Sequence, residues 1–198
     1  MSYRIEEKLL INPQNLFEFK FFLNSKGANK IYKERIIESL YFDNLNKDTF
    51  QDSEEGILPR KKIRLRRYLN DNDKNFYYEL KISSIEGRYK SRKIINPKEF
   101  SSSILKGIFD NQYGLCFPVM HIKYTREYFL LEDVRISIDT GIEYADYTTG
   151  RKINEDKIVA ELKTNINKNL DDLAEDFPFQ RVRFSKYCFG LKKLLDKN

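Results

Sequence analysis

Several short segments of the 198-residue sequence place a basic residue at every second position. Lys62, Arg64 and Arg66 alternate in one segment, and Lys90 and Arg92 alternate in another. Arginine presents a planar fork of N–H donors that matches phosphate oxygens, and lysine adds a compact positive charge. Convergent side chains of these types therefore predict a site for a phosphorylated anion.

This spacing requires β-strands, because successive side chains of a strand point to opposite faces of the sheet. Ile63 and Leu65 oppose the first basic column, and Leu162 separates Glu161 from Lys163. The same division of faces applies to three further sets: Arg4, Glu6 and Lys8; Glu79 and Lys81; and Arg135, Ser137 and Asp139. A solvated outer face explains one such column, but repetition with arginine forks favours an enclosed anion-binding face.

The overall charge also favours an anionic partner. With 36 Lys and Arg against 30 Asp and Glu, the formal net charge is +6 and the pI is near 9.1. Nucleic acid, a membrane surface or a small phosphorylated ligand would satisfy this charge. The basic run from Arg60 to Arg67 resembles a nucleic-acid patch, but such a patch needs exposed cations. We therefore expect no nucleic-acid partner.

Histidine and cysteine offer little metal chemistry. His121 is the single histidine, and Cys116 and Cys188 form no C-x-x-C motif. A zinc site or a Ser/His/Asp triad is therefore not indicated. A bound metal would depend on carboxylates, which favours Mg²⁺ or Mn²⁺.

Strand patterns dominate the chain. They cover 3–11, 38–43, 60–69, 75–83, 86–95, 120–131, 133–139, 141–147 and 157–164, and helices are predicted at 13–25, 97–106 and 184–196. No linker-like stretch divides the sequence, so we expect one domain, 1–198, with a β-dominated α+β fold. If the helices cover the apolar columns outside, the ionic columns line a barrel interior.

No apolar run reaches the ~20 residues that a membrane-spanning helix needs. The N-terminal segment also carries acidic residues where a signal peptide needs basic and then apolar ones. These features predict a cytoplasmic protein without a transmembrane segment.

The residues that carry this pattern resemble a known family. In order, they are Arg4-x-Glu6-x-Lys8, Ser39-Leu-Tyr41-Phe42-Asp43, Arg64-Leu-Arg66, Glu79-Leu-Lys81, Lys90-Ser-Arg92, Tyr124-x-Arg126, Arg135-Ile-Ser-Ile-Asp139, Glu161-Leu-Lys163 and Phe184-Ser185-Lys186-Tyr187. Each motif is weak alone, but the ordered set, which spans nearly the whole chain, is specific. It resembles the VTC domain, the polyphosphate polymerase branch of the CYTH-like triphosphate tunnel metalloenzyme superfamily.

The resemblance implies a closed eight-stranded antiparallel β-tunnel with helices packed outside. It implies catalytic roles for Arg64, Arg66, Arg126, Arg135 and Lys186, and phosphate binding by Lys8, Lys81, Lys90, Arg92, Lys163 and Ser185. Glu161 is the implied ligand of Mn²⁺ or Mg²⁺, and Glu6, Glu79 and Asp139 are candidate further acidic members of the site.

The implied activity is that of a phosphotransferase, an ATP-dependent polyphosphate polymerase whose partners are ATP and polyphosphate or triphosphate. Arg4 stands where hydrolases of the superfamily have glutamate, which favours the polymerase. A metal-dependent triphosphate hydrolase and a non-catalytic polyphosphate-binding module stay open as alternatives. The SPX sensor and membrane helices of eukaryotic polymerase subunits have no counterpart in this sequence. An unidentified membrane or protein partner is therefore an open possibility.

Overall fold

The computed structural model describes residues 4–70, 75–165 and 180–196. The elements in these ranges are β1 (Arg4–Ile11), α1 (Leu16–Ser25), β2 (Asn29–Asp43), α2 (Asp48–Glu55), β3 (Arg60–Tyr68), β4 (Phe76–Ser84), β5 (Gly87–Ile95), α3 (Pro97–Lys106), β6 (Ile108–Asp110), β7 (Gly114–Leu131), β8 (Val134–Asp146), β9 (Lys152–Glu155), β10 (Ile158–Asn165) and α4 (Lys186–Leu195). A 3₁₀ turn, Pro13–Asn15, precedes α1. The fold is thus β-dominated α+β, as predicted, and none of the helices described is long and apolar enough to cross a membrane.

Eight strands follow the order β1-β10-β8-β7-β2-β3-β4-β5, with β6 beside β7 and β9 beside β8. Within the ranges given above, no ladder joins β1 to β5, so the sheet is open and the prediction of a closed tunnel is wrong. Closure requires the two end strands to pair with a matched tilt and stagger. Instead, β5 exposes Arg88 and Lys93, and charged side chains are typical of an unpaired edge.

The chain forms two compact units, and β2, β7, β8 and β9 contribute to both. The first contains β1, α1, β10, the start of β2, the end of β7, most of β8 and the last residue of β9. The second contains α2, β3 to β6, α3, α4 and the remaining parts of the shared strands. The expectation of one domain over 1–198 stays a prediction.

In the first unit, the apolar column lies under α1. Phe19 and Leu23 of this helix share a buried cluster with Leu9, Ile136 and Leu162 of three neighbouring strands. Strand register then fixes the polar column on the opposite face. Glu6 pairs with Lys163 and Lys163 with Arg135, while Lys8 pairs with Glu161 and Glu161 with Ser137.

In the second unit, α3 covers the equivalent apolar column. Phe100 packs on Phe76 with ring centroids 4.2 Å apart, next to the buried cluster that contains Ile63 and Leu65. The helix begins with a capping box in which Asn96 accepts from the Glu99 amide and Glu99 accepts from the Asn96 amide. This cap and Pro97 at the first turn explain why the sequence predicts α3 correctly.

A buried carboxylate organises the start of α2. Asp43, at the end of β2, accepts hydrogen bonds from the amides of Thr49 and Phe50 at 3.0 and 3.1 Å. It also accepts one from the hydroxyl of Tyr187 in α4. Asp43 therefore satisfies helix N–H groups that would otherwise lack partners and attaches α4 to the sheet.

Helix α4 also approaches β8 closely at Gly190, and this contact gives a stability prediction. A Cβ at Gly190 would lie 2.2 Å from Cδ1 of the buried Tyr144 ring. Helix propensity alone favours alanine over glycine by about 1 kcal/mol, whereas overpacking costs about 1–3 kcal/mol. We expect Gly190→Ala to lower the melting temperature, measured by circular dichroism. Lys192→Ala, on the exposed side of the same helix, is the control; a raised melting temperature for Gly190→Ala would contradict the packing.

Candidate functional site

Strand register in the second unit gathers basic residues on one face. Arg64 of β3 pairs with Glu79 of β4, which pairs with Arg92 of β5. One step along, Lys62 pairs with Lys81, which pairs with Lys90. Directly opposed residues of antiparallel strands point to the same face. The alternating columns of three strands therefore form one continuous basic surface.

Glu79 lies at the centre of this surface and is 1% exposed. Its Oε2 accepts from Nε and Nη2 of Arg64 at 2.8 and 2.6 Å, and its Oε1 accepts from Nζ of Lys90 at 2.7 Å. Arg66 Nη1 and Arg92 Nε lie 3.7 and 3.6 Å from the carboxylate. Four positive side chains thus surround one negative one, which leaves a net charge of +3. We call these five residues the Glu79 cluster.

The charges within the cluster shift the pKa values of its own members. Burial alone would raise the pKa of Glu79, but Arg64, Arg66 and Lys90 together hold that pKa well below its ordinary value, so the carboxylate stays ionised. Burial, followed by the charge of Arg64, lowers the pKa of Lys90 to about 8, although Glu79 opposes this shift. Lys90 therefore titrates near physiological pH.

Aromatic side chains fix the arginines of the cluster. The Tyr41 hydroxyl lies 2.7 Å from Arg64 Nη1, and the Tyr41 ring stacks on Tyr187 at 5.0 Å. Burial raises the pKa of Tyr41, but Arg64, Arg66 and Lys62 oppose this effect, and the pKa lies below its ordinary value. Arg92 lies over the ring of Tyr77, 3.6 Å from its centroid. Tyr41 therefore lies on the same face as the basic residues.

Ser185 and Lys186 lie at the start of α4, in the same unit. Ser185 accepts from the amide of Cys188 at 3.4 Å and lies 3.0 Å from Nζ of Lys62. Burial lowers the pKa of Lys62. Lys62, which the sequence places in the basic column without assigning a role, therefore joins the predicted phosphate-binding serine.

The outer face of β3 carries different contacts. Lys61 Nζ lies 2.9 Å from the Asp110 carboxylate, and Arg67 pairs with Glu38. The two basic residues that a nucleic-acid surface would use on this face are therefore engaged in ion pairs.

The first unit contains a second charged cluster, centred on Arg126. Its guanidinium makes a two-pronged contact with Asp139, and Nη2 lies 2.7 Å from Oδ2. Asp139 is 0% exposed. Burial opposes the charge of Arg126, but Asp139 raises the arginine pKa well above its ordinary value. Asp139, predicted as an acidic member of the site, therefore holds an arginine.

Glu161 extends this second cluster. Its Oε2 lies 3.8 Å from Arg126 Nη2, and its Oε1 lies 3.4 Å from Nζ of Lys163. Lys163 Nζ is also 3.5 Å from Oε1 of Glu6. Lys8 donates to the carbonyl oxygen of Phe184 at 2.6 Å. The exposed Arg135 lies opposite Lys163 in the ladder, and the side chain of Arg4 is outside what the structure describes.

The carboxylates of this cluster suit a metal ion whose ligands come largely from the bound substrate. In the ranges described, no group of three or more His, Cys, Asp or Glu side chains could form a complete cage. Mg²⁺ in phosphoryl-transfer sites commonly takes one or two carboxylates and completes its shell with phosphate oxygens and water. Glu161 suits this use because its contacts to Lys163 and Arg126, at 3.4 and 3.8 Å, are longer than typical charge-assisted hydrogen bonds.

Comparison with known proteins identifies a matching family. The family model of the VTC domain matches residues 3–114 and 109–195. No curated protein sequence matches the chain closely enough to count as a relative.

Solved structures share the fold at low sequence identity. A Vibrio parahaemolyticus protein named for adenylate cyclase has a TM-score of 0.60 at 15% identity, with 96% of this chain and 98% of that chain covered. A Hippeastrum protein named for adenylyl cyclase, and described as having a dominant triphosphatase activity, gives 0.59 at 15% identity over 98% and 96%. A Bacillus halodurans protein named for adenylate cyclase gives 0.62 at 12% identity over 93% and 94%. At these identities the likeness is one of fold.

The pKa of Lys90 gives a prediction for anion binding. A polyphosphate anion binds the protonated amine, so affinity is full below pH 8 and falls as pH rises past it. Between pH 7 and 9 we expect a loss of about tenfold in the affinity for tripolyphosphate, relative to Lys90→Arg. Arginine does not titrate in this range, so this variant corrects for protonation of the ligand. Calorimetric titration measures both curves, and parallel curves would contradict the assignment.

Proposed function

Because the chain belongs to the VTC domain family, we propose that it is a metal-dependent polyphosphate polymerase. It would transfer the γ-phosphoryl group of ATP to the end of a growing polyphosphate chain. The Glu79 cluster is the observation that carries this proposal, because four cations around one buried carboxylate retain a net positive charge. A polyanion with closely spaced phosphates is the ligand that such a surface favours.

In this proposal, the second unit binds the triphosphate or polymer. Arg64 and Arg66 offer planar guanidinium groups, while Lys81, Lys90 and Arg92 add charge on the neighbouring strands. The transferred phosphoryl group spreads negative charge over its equatorial oxygens, so fixed cations stabilise the transition state without covalent chemistry. Arg126, Arg135 and Lys186 are assigned to this stabilisation, with Lys8, Lys163 and Ser185 as further phosphate contacts.

Glu161 is assigned as a ligand of a bound Mn²⁺ or Mg²⁺. Glu6, like Glu161, forms an ion pair with Lys163. When bound, such an ion neutralises charge on phosphate oxygens and orients them. Asp139 holds Arg126 in position. The terminal phosphate of a polymer is already largely ionised near neutral pH, so it can act as nucleophile without a dedicated base.

A triphosphate hydrolase is the second candidate, because one neighbour in fold is described as a triphosphatase. Water, unlike a phosphate terminus, needs a residue to accept its proton. A third candidate is a binding module without turnover. Cytoplasmic location stays a prediction from the sequence.

Product analysis distinguishes these candidates. Purified protein with ATP and Mn²⁺ or Mg²⁺ should produce ADP together with internal phosphate signals in ³¹P NMR. We expect Arg64→Ala to reduce the rate by about 10²- to 10³-fold, as is common when one charge-stabilising donor is lost. Arg67→Ala, on the outer face of the same strand, should leave the rate unchanged. Orthophosphate without polymer would indicate a hydrolase, and unchanged ATP despite triphosphate binding would indicate a binding module.

The metal assignment is tested separately. We expect Glu161→Gln, which replaces the charged ligand, to raise the Mn²⁺ concentration required for half-maximal activity by at least about tenfold. Glu143→Gln removes a carboxylate that pairs with Lys152 on the protein surface and serves as the control. Equal metal dependence in wild type and Glu161→Gln would reduce Glu161 to an ion-pair partner of Lys163.

A further inference from the structure

Glu79 differs from Glu161, the residue proposed to hold the metal ion. Both of its oxygens accept hydrogen bonds from cations at 2.6–2.8 Å, and two further arginines lie within 3.7 Å. Glu161, in contrast, lies 3.4 Å from Nζ of Lys163 and 3.8 Å from Nη2 of Arg126. A divalent ion at Glu79 would have to displace Arg64 or Lys90 and would meet repulsion from the remaining cations. Glu79 is therefore poorly suited to hold a metal.

Its place in the ladder suits another role. Glu79 is on the central strand, directly between Arg64 and Arg92, and Lys90 reaches it from the neighbouring row. A carboxylate on β3 or on β5 would not be flanked by both of these arginines. The carboxylate also accepts from two nitrogens of Arg64, which sets the plane of the guanidinium group.

We propose that Glu79 is the positioning residue of the phosphate site: its carboxylate holds the Arg64 guanidinium and the Lys90 ammonium in the arrangement that receives the polyphosphate. The identity of the anion rests on the proposed function, but the positioning role does not require turnover. Without this carboxylate, four like charges repel one another and separate, and the guanidinium plane loses one of its supports. The hydroxyl of Tyr41 is another support of that guanidinium.

An effect of total charge alone would change the affinity for a polyanion in the opposite direction from an effect of positioning. Glu79→Gln retains the shape of the side chain and raises the net charge of the cluster from +3 to +4. If the cluster acted only through its total charge, the variant would bind a polyanion more tightly. If Glu79 positions the cations, the variant binds more weakly despite its greater charge. The two accounts therefore differ in sign.

The test is calorimetric titration of the full chain with inorganic tripolyphosphate, without metal, at pH 7 and constant salt. We expect Glu79→Gln to weaken binding at least tenfold. Glu38→Gln is the matched control, because it removes the carboxylate partner of Arg67 on the outer face of β2 and β3. It changes net charge equally and should leave the affinity within twofold of wild type. Equal or tighter binding by Glu79→Gln would overturn the proposal.

A pH series separates positioning from a purely structural role. Lys90 is faced by Arg64 and Arg66 of β3, Glu79 and Lys81 of β4, and Arg92 of its own strand. Loss of Glu79 removes the charge that keeps Lys90 protonated, so affinity should decline at a lower pH in Glu79→Gln than in wild type. Lys90→Arg in the Glu79→Gln background should remove this pH dependence, because arginine stays charged in this range. A structural defect would lower the melting temperature without moving this pH dependence, and an unmoved pH dependence would count against the proposal.

Glu79→Asp keeps the test decisive if Glu79→Gln does not fold. Aspartate retains the charge but withdraws the carboxylate by one methylene, so we expect several-fold weaker binding at unchanged net charge. Wild-type affinity in Glu79→Asp would contradict positioning. Wild-type protein that binds tripolyphosphate but makes no polymer would contradict the proposed function and leave this inference to be judged on binding. Absence of tripolyphosphate binding by wild type would overturn the inference as well.

Discussion

The burial of like charge is the constraint on which the rest of this structure depends. Cations that are partly removed from water repel one another strongly, and a cluster of them persists only with carboxylates placed among them. In the second unit Glu79 meets this need for Arg64 and its neighbours, and in the first unit Asp139 does so for Arg126. A single carboxylate among several cations also leaves an excess of positive charge. The same arrangement that stabilises the protein therefore provides the attraction for a polyanion.

The period of two along each strand connects this constraint to the fold. Where one face of a strand is ionic, the other is apolar, and α1 and α3 cover the apolar faces of their respective units. In the second unit, contacts also run from the buried core to the basic residues. Asp43 anchors Tyr187, whose ring stacks on Tyr41, and the Tyr41 hydroxyl contacts Arg64. The packing of α4 thus helps to orient an arginine of the site.

The alternation of ionic and apolar residues predicted the two faces of each strand, because it depends only on neighbouring residues. The capping residues of α3 are equally local in the sequence. Other features depend on residues outside the element concerned. Helix α2 follows Lys47, which has φ 59° and makes no side-chain cap, and the helix amides donate instead to the side chains of Asn44 and Asp43. The pairing of Arg126 with Asp139 requires a strand register that composition does not reveal. Alternation also could not show whether the end strands pair, so the closed tunnel was predicted incorrectly.

The most direct test of the central claim is a crystal structure of the protein with tripolyphosphate bound. The account predicts phosphate oxygens within hydrogen-bonding distance, about 3 Å, of both Arg64 and Lys90. Glu79 would still contact the arginine in that structure. A tripolyphosphate bound elsewhere, with the Glu79 cluster making no phosphate contact, would contradict the claim that this cluster is the substrate site.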